Sequence, residues 1–198
     1  MPRPTGRGEL IAGAVLVGWS AAAAIVIALR PGPNTLDRWG FDWLAKSPDS
    51  ALYLHTTDLG AAAVLAAGSV LAALVVVRRD RWRALACVAG PLGAALLVEY
   101  VIKPTVGRRY LGVLSFPSGN VTDVASLSTA WAVAVPARIR PFVVAVGVVV
   151  TAMMAIAVTG LRWHYPSDAL AGAVLGAGTV LLVDGLLHLP AVTRQFRR

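Results

Sequence analysis

Six long apolar blocks separated by short polar connections constrain this chain more than any other feature. They run over residues 10–29, 59–77, 84–102, 121–136, 141–161 and 169–189. Most approach the ~20 residues that carry a helix across ~30 Å of hydrocarbon. Helices are expected over strands as the spanning form, because an isolated sheet would leave backbone N–H and C=O groups unpaired in lipid. The chain is 57% hydrophobic, where a soluble domain has about 45–50% apolar residues, and the excess is gathered in these blocks. The expectation is an all-α polytopic membrane protein, a six-transmembrane-helix bundle in which residues 1–198 form one domain. The fourth block is the least apolar. It carries Asp123, Ser126, Ser128, Thr129 and Trp131, which suits a helix facing the bundle interior. Arg3 and Arg7 precede the first block, so a cleaved signal peptide is the competing reading there. The stretch is long for a signal, and its loss would leave an odd number of spans.

The formal charge of +8 raises nucleic-acid binding as a function. The basic residues lie in short clusters between apolar blocks, however, so membrane topology accounts for them and no nucleic-acid partner is expected. Eleven lie on one side, from Arg3 and Arg7 through Arg78–Arg83, Arg138 and Arg140 to Arg194, Arg197 and Arg198. Seven lie on the other: Arg30, Arg38, Lys46, Lys103, Arg108, Arg109 and Arg162. The positive-inside rule makes the first side cytoplasmic, with both termini inside and loops 30–58, 103–120 and 162–168 outside. Sixteen of the 18 basic residues are Arg in an Ala-, Val- and Gly-rich chain, a composition that fits a bacterial inner (plasma) membrane. The single cysteine, Cys87, lies within an apolar run and reads as a core residue. Trp39, Phe41, Trp43, Leu44 and Tyr53, broken by Pro31, Pro33 and Pro48, suit a short interfacial helix over residues 36–44. A lid over an opening for lipid is the functional alternative.

The unusual chemistry is concentrated in the outer loops. Lys103, Arg108 and Arg109 fall within seven residues and can form an anion site if the loop folds over itself. Phe116-Pro117-Ser118-Gly119-Asn120 opens the fourth block. Free amides at a helix start favour a phosphate, Pro117 fixes the backbone there, and Gly119 permits close approach. Arg162-Trp163-His164-Tyr165-Pro166-Ser167-Asp168 joins the last two blocks. His164 is a candidate nucleophile, and Asp168, one helical turn on, could hold its imidazole in one tautomer. Cations, a helix N-terminus and an oriented histidine are the parts of a phosphoryl-transfer site that needs no metal. No cofactor is implied.

Pro117-Ser118-Gly119, followed two helices later by His164-Tyr165-Pro166-Ser167-Asp168, resembles the type 2 phosphatidic acid phosphatase superfamily. These are six-helix membrane enzymes that dephosphorylate lipid phosphates and diphosphates, with motifs K-x6-R-P, P-S-G-H and S-R-x5-H-x3-D. The resemblance implies that His164 is the nucleophile forming a phosphohistidine and that Asp168 orients it. It further implies that Ser118, Gly119 and the leading Lys103 bind phosphate. The chain departs from the pattern at Tyr110 and Leu111, where Arg-Pro is expected, and Arg108 or Arg109 would replace that arginine by a local shift. It departs again at Ala157 and Val158, where Ser-Arg is expected, with Arg162 as a substitute guanidinium. Asn120 stands where the family has the histidine that protonates the leaving group. An amide hydrogen-bonds phosphate but cannot act as a general acid. A diphosphate lipid expels a phosphate monoester, which needs little protonation, so a polyprenyl diphosphate is the favoured substrate class. His55 is a possible substitute acid, although an ordinary interfacial histidine is the simpler reading.

Glu99 precedes Lys103 by one helical turn and can neutralise or position it. Asp58 and Asp123 lie near the outer ends of their helices, and Asp184 and His188 are spaced to pair near the inner end of the last. The leading reading is thus a lipid phosphate or diphosphate phosphatase at the outer face of the bilayer, acting on a phosphorylated lipid. The alternative is a catalytically impaired relative that binds such a lipid or a membrane protein partner. A small transporter or scaffold has only the spans in its favour. No residue pattern bears on oligomeric state.

Overall fold

The computed structural model describes residues 6–44 and 50–189. Arg3, Lys46, Pro48, Arg194, Arg197 and Arg198, which entered the reading of charge and loops, lie outside the described residues. The helices in chain order are α1 (Arg7–Leu29), α2 (Thr35–Leu44), α3 (Ser50–Thr57), α4 (Ala62–Val76), α5 (Arg81–Leu97), α6 (Lys103–Val106), α7 (Gly119–Ala134), α8 (Arg140–Gly160) and α9 (Pro166–Leu187). Each of the six apolar blocks is helical, the form in which one segment pairs all its own backbone groups in lipid. A π-helical turn, Val98–Ile102, carries α5 into α6, and Gly107 at φ 67 ends that run in the left-handed conformation. The short strands β1 (Arg109–Tyr110) and β2 (Val113–Leu114) then form an antiparallel hairpin, turned through Leu111 and Gly112 at φ 48 and 86.

Among the described residues, four helices are long and apolar enough to cross a membrane: α1, the α5–α6 run, α8 and α9. Residues Ala51–Gly60 and Ala62–Val76 form a fifth crossing if their 50° bend is taken within one broken span. Of the six expected spans, the fourth, over residues 121–136, falls short of that length. Helix α7 has 16 residues and a length of ~24 Å, short of ~30 Å of hydrocarbon. It sits inside the bundle, packed by α4, α5, α8 and α9, and buries Thr122 and Ser126. The interfacial helix expected over residues 36–44 is α2, whose Trp39 and Trp43 are exposed.

Helix α9 is the spine on which α1, α5 and α7 pack. Between lipid-compatible surfaces no hydrophobic force drives helices together, so close contact depends on small residues. Gly172 and Gly176 face the start of α7, where an added Cβ would strike the carbonyl oxygens of Ser118 and Thr122. These two glycines therefore fix the depth of the α7 N-terminus against α9. On the other side of α9, a Cβ at Gly13 would strike the Leu182 amide.

The end of the bundle near the N-terminus is closed by charge. Asp80 caps α5, accepting from the amides of Trp82 and Arg83 at 3.1 and 3.0 Å. The Arg83 guanidinium donates twice to the buried Asp184 carboxylate, both at 3.3 Å, and lies 3.8 Å from Glu9. His188 bonds the Asp184 backbone carbonyl through Nδ1 at 2.7 Å and the Asp80 carboxylate through Nε2 at 2.9 Å. The pairing expected between Asp184 and His188 thus runs mainly through the Asp184 carbonyl, and the Asp184 carboxylate belongs to Arg83. Burial works against a charged His188, but its bonds to Asp184 and Asp80 and their charges outweigh this and hold it above its ordinary 6.5. Burial also opposes the Asp80 carboxylate. The Arg83 amide and His188 outweigh it and hold Asp80 below 3.8. Asp80 therefore adds stability above 3.8 that is lost as pH falls, and His188 adds stability below 6.5 that is lost as pH rises through its raised value. His188→Gln is expected to lower the apparent Tm in detergent at pH 6, with a loss of about 1–3 kcal/mol. The gap from wild type should close by pH 9, and a gap of constant size across that range would show that the charge contributes nothing.

Candidate functional site

The site end of the bundle is organised by a buried arginine. Gly107 turns the chain inward after α6, and Arg108 is completely buried. All five of its N–H donors are used. Nε donates to Pro31 O at 3.0 Å, one terminal nitrogen to Ser167 Oγ at 2.8 Å and to Asp168 Oδ1, and the other to Gly32 O at 3.1 Å and Asp37 Oδ2 at 2.7 Å. The Tyr165 ring lies 4.0 Å from the guanidinium carbon, and Tyr110 and Phe41 pack against that ring at 4.5 and 5.7 Å. Asp37 and Asp168 are both fully buried. Asp37 exchanges bonds with Asn34 across the first turn of α2 and accepts the Ser167 amide at 2.9 Å. Asp168 accepts the Tyr165 amide at 3.1 Å in the first turn of α9. Arg108, expected to bind substrate phosphate, directs all five donors to protein groups in this structure.

His164 is held differently from the expectation. Helix α8 ends in a Schellman turn, with the Trp163 amide bonded to Val158 O and the Arg162 amide to Thr159 O, both at 3.0 Å. Arg162 takes the left-handed position at φ 59, which costs an L-residue other than glycine about 1–2 kcal/mol. The turn delivers His164 to the Ser115 carbonyl, which it meets through Nδ1 at 2.8 Å. A carbonyl only accepts, so Nδ1 carries a proton, and in the neutral ring Nε2 is the nitrogen that holds the lone pair. The Asp168 carboxylate is 3.8 Å from Nδ1. The Ser115 carbonyl is the hydrogen-bond partner of the imidazole, and the Asp168 carboxylate lies beside it at ion-pair distance.

Ser118 stands at the N-cap of α7. Its amide donates to Asp168 O at 3.0 Å, and its buried Oγ has no hydrogen-bond partner among the described residues. Gly119 and Asn120 supply the next amides. Lys103 pairs with Glu99, and a Cβ at Gly119 would lie 3.0 Å from Glu99 Oε1 and 3.7 Å from Lys103 Nζ. The π-helical turn thus brings this ion pair against the start of α7. The remaining expected residues go elsewhere. Arg109 is exposed and donates to Gly112 O within its own hairpin at 2.8 Å. Arg162 stacks over the Phe41 ring, 4.2 Å from its centroid. Val158, where the resemblance led to an arginine, is buried with Val121, Val124, Met154 and Ala169. His55 is almost fully exposed beside Asp58, which removes it as a substitute acid within the site. Below the α2 helix an apolar cavity of about 760 Å³ opens among α7, α8 and α9, its rim including Trp39, Trp43, Pro166 and Ala169.

No family model and no curated protein matches the sequence. The structure is similar to the crystal structure of a transmembrane PAP2 type phosphatidylglycerolphosphate phosphatase from Bacillus subtilis, with a TM-score of 0.70 and 20% identity over 94% of this chain and 98% of that one. The fold is that of a PAP2-type membrane phosphatase. On this PAP2 fold, sequence reasoning missed two polar partners. Asp37 was legible only as a helix residue, although the spacing of Asn34 and Asp37 marks a helix start. The Ser115 carbonyl is backbone and leaves no trace in side-chain pattern.

Removing Arg108 leaves two buried carboxylates facing each other. Arg108→Ala is expected to cost about 3–5 kcal/mol, most of it from the uncompensated charges. Arg108→Lys restores one charge without the planar five-donor fork and should fall between the two. Thermal unfolding of the three proteins in one detergent checks the order.

Proposed function

We propose that this chain is a lipid-phosphate phosphatase of the PAP2 superfamily, acting through a phosphohistidine at His164. The observation that carries this reading is the anchoring of His164, with Nδ1–H committed to the Ser115 carbonyl, which in the neutral ring leaves Nε2 as the nitrogen with the free lone pair. Nε2 attacks phosphorus, the P–O bond to the leaving group breaks, and the phosphoryl group rests on the imidazole until water displaces it. Nδ1–H stays bonded to the carbonyl throughout and stabilises the imidazolium that forms.

The phosphoryl oxygens are held by the start of α7. Its amides and dipole favour an anion, and the unpartnered Ser118 Oγ is a donor waiting for an acceptor. Lys103 is the neighbouring cation. The apolar cavity under α2 takes the lipid tail, which enters from the bilayer. By the distribution of Lys and Arg, both termini are cytoplasmic and this end of the bundle faces outside, as in a bacterial inner membrane protein. Six crossings follow if the bent α3–α4 pair and the short α7 each pass through. Asn120 provides hydrogen bonding but no acidic proton, which favours a substrate whose leaving group is already stable, a lipid diphosphate of the polyprenyl type.

The purified protein is expected to release phosphate from a polyprenyl diphosphate faster than from phosphatidic acid. His164→Ala should reduce both to background, a loss of at least about 10³-fold. Equal release by wild type and His164→Ala would overturn the enzyme. Binding of both lipids by wild type without release would point to the catalytically impaired alternative.

A further inference from the structure

Two charges stand at the start of α7 that do not belong to it. Helix α7 has no acidic residue in its own first turn. The π-helical turn Val98–Ile102, with Lys103 directly after it, packs against α7 and brings Glu99 and Lys103 there. Such turns are rare and often sit at functional sites.

Gly119 shows how close the carboxylate comes. A Cβ at this position would lie 3.0 Å from Glu99 Oε1 and 3.7 Å from Lys103 Nζ. In a helix the Cα–Cβ bond points back toward the N-terminus. The Glu99 oxygen therefore lies on the side of α7 to which its free amides point. Ser118 marks the same place independently. Its Oγ is buried, makes no capping bond, and has no hydrogen-bond partner among the described residues. The start of α7 thus has the donors of an anion site, with a carboxylate from a neighbouring turn leaning on it.

This carboxylate opposes an incoming phosphate in two ways. Like charges crowded into one site disfavour each other. Glu99 also holds the Lys103 ammonium, the cation nearest the start of α7. Asp123, one turn further along α7, feels the charges of both, so Lys103 already faces two carboxylates. Exposure decides which partner gives way. The Glu99 side chain is 51% exposed and that of Lys103 15%. Glu99 can turn into water at small cost, because an exposed pair at this spacing is weak. Lys103 is hemmed in against α7 and stays.

We propose that Glu99 competes with phosphate for Lys103 and the start of α7. A phosphoryl group gains Lys103 by displacing the carboxylate, and the return of the carboxylate drives release of the phosphate product. Glu99 is a gating residue and takes no part in the chemistry. The proposal rests on the reading of the α7 start as the phosphate site.

The test titrates inorganic phosphate calorimetrically into purified wild type, Glu99→Gln and Lys103→Met in one detergent. Glu99→Gln is expected to bind phosphate about three- to tenfold more tightly than wild type. Lys103→Met should bind it at least about tenfold more weakly. In lipid hydrolysis, the Ki of inorganic phosphate as product inhibitor should fall in Glu99→Gln by the same factor as its Kd. Glu99→Ala, which also removes the hydrogen bond to Lys103, should shift in the same direction. Equal or weaker phosphate binding by Glu99→Gln, with binding by wild type intact, would show that Glu99 positions Lys103 and would overturn the proposal alone. No binding by wild type or either Glu99 variant would overturn the phosphate site together with it. Phosphate binding does not need His164 to react, so a failure of the phosphohistidine reading leaves this comparison standing.

Discussion

One guanidinium between two buried carboxylates is the interaction on which the rest of the site end depends. Asp37, Arg108 and Asp168 come from three separate segments of chain, and all three are fully buried. The Coulomb attraction of a buried pair is offset by the cost of removing each charge from water, so such groups persist only when geometry satisfies every donor. That condition holds for Arg108, whose five N–H groups reach the α1–α2 connection, the first turn of α2 and the first turn of α9. The triad carries one excess negative charge, and the amides of Asn34, Ser167 and Tyr165 absorb it. The result is a rigid knot in loops that would otherwise be held only by short connections.

His164 inherits its position from this knot without touching it closely. Asp168 is fixed by Arg108, its backbone carbonyl accepts the Ser118 amide, and the preceding residues set where His164 emerges. The Ser115 carbonyl that orients His164 belongs to the segment between β2 and α7, and the Ser115 amide donates to Arg108 O at 2.9 Å. Arg108 therefore holds both sides of the His164 contact, one through its side chain and one through its backbone.

What was legible in the sequence follows from the range of the forces involved. The apolar blocks could be read because lipid forces each segment to satisfy its own backbone, a local requirement. The start of α7 and the His164 loop could be read because Pro117, Ser118 and Gly119, and then His164 and Asp168, carry their chemistry in short contiguous runs. The fate of the arginines could not. Arg108 looked like a phosphate ligand because its partners lie 60 and 71 residues away, and nothing local distinguishes a buried cation from one at an interface. Arg109 and Arg162 were similarly undetermined until the hairpin and the Schellman turn set their directions. Helix α7 was legible for the same reason as the other apolar blocks: its 16 residues match the fourth block in length, and its polar residues marked an interior helix.

The starts of α7 and α9 meet at the Ser118 amide and Asp168 carbonyl, yet they are not equivalent as anion sites. Helix α9 has Asp168 in its first turn, so its positive end is already occupied by a carboxylate that also neutralises Arg108. Helix α7 has no acidic residue in its first turn, and its cap serine makes no capping bond. One helix end is thus closed by the protein and the adjacent one is left open, with the histidine loop attached to the closed one. The fixed depth of α7, set by Gly172 and Gly176 against α9, decides where this open end lies relative to His164. A change at either glycine would shift the start of α7 relative to His164 while leaving every charged residue in place.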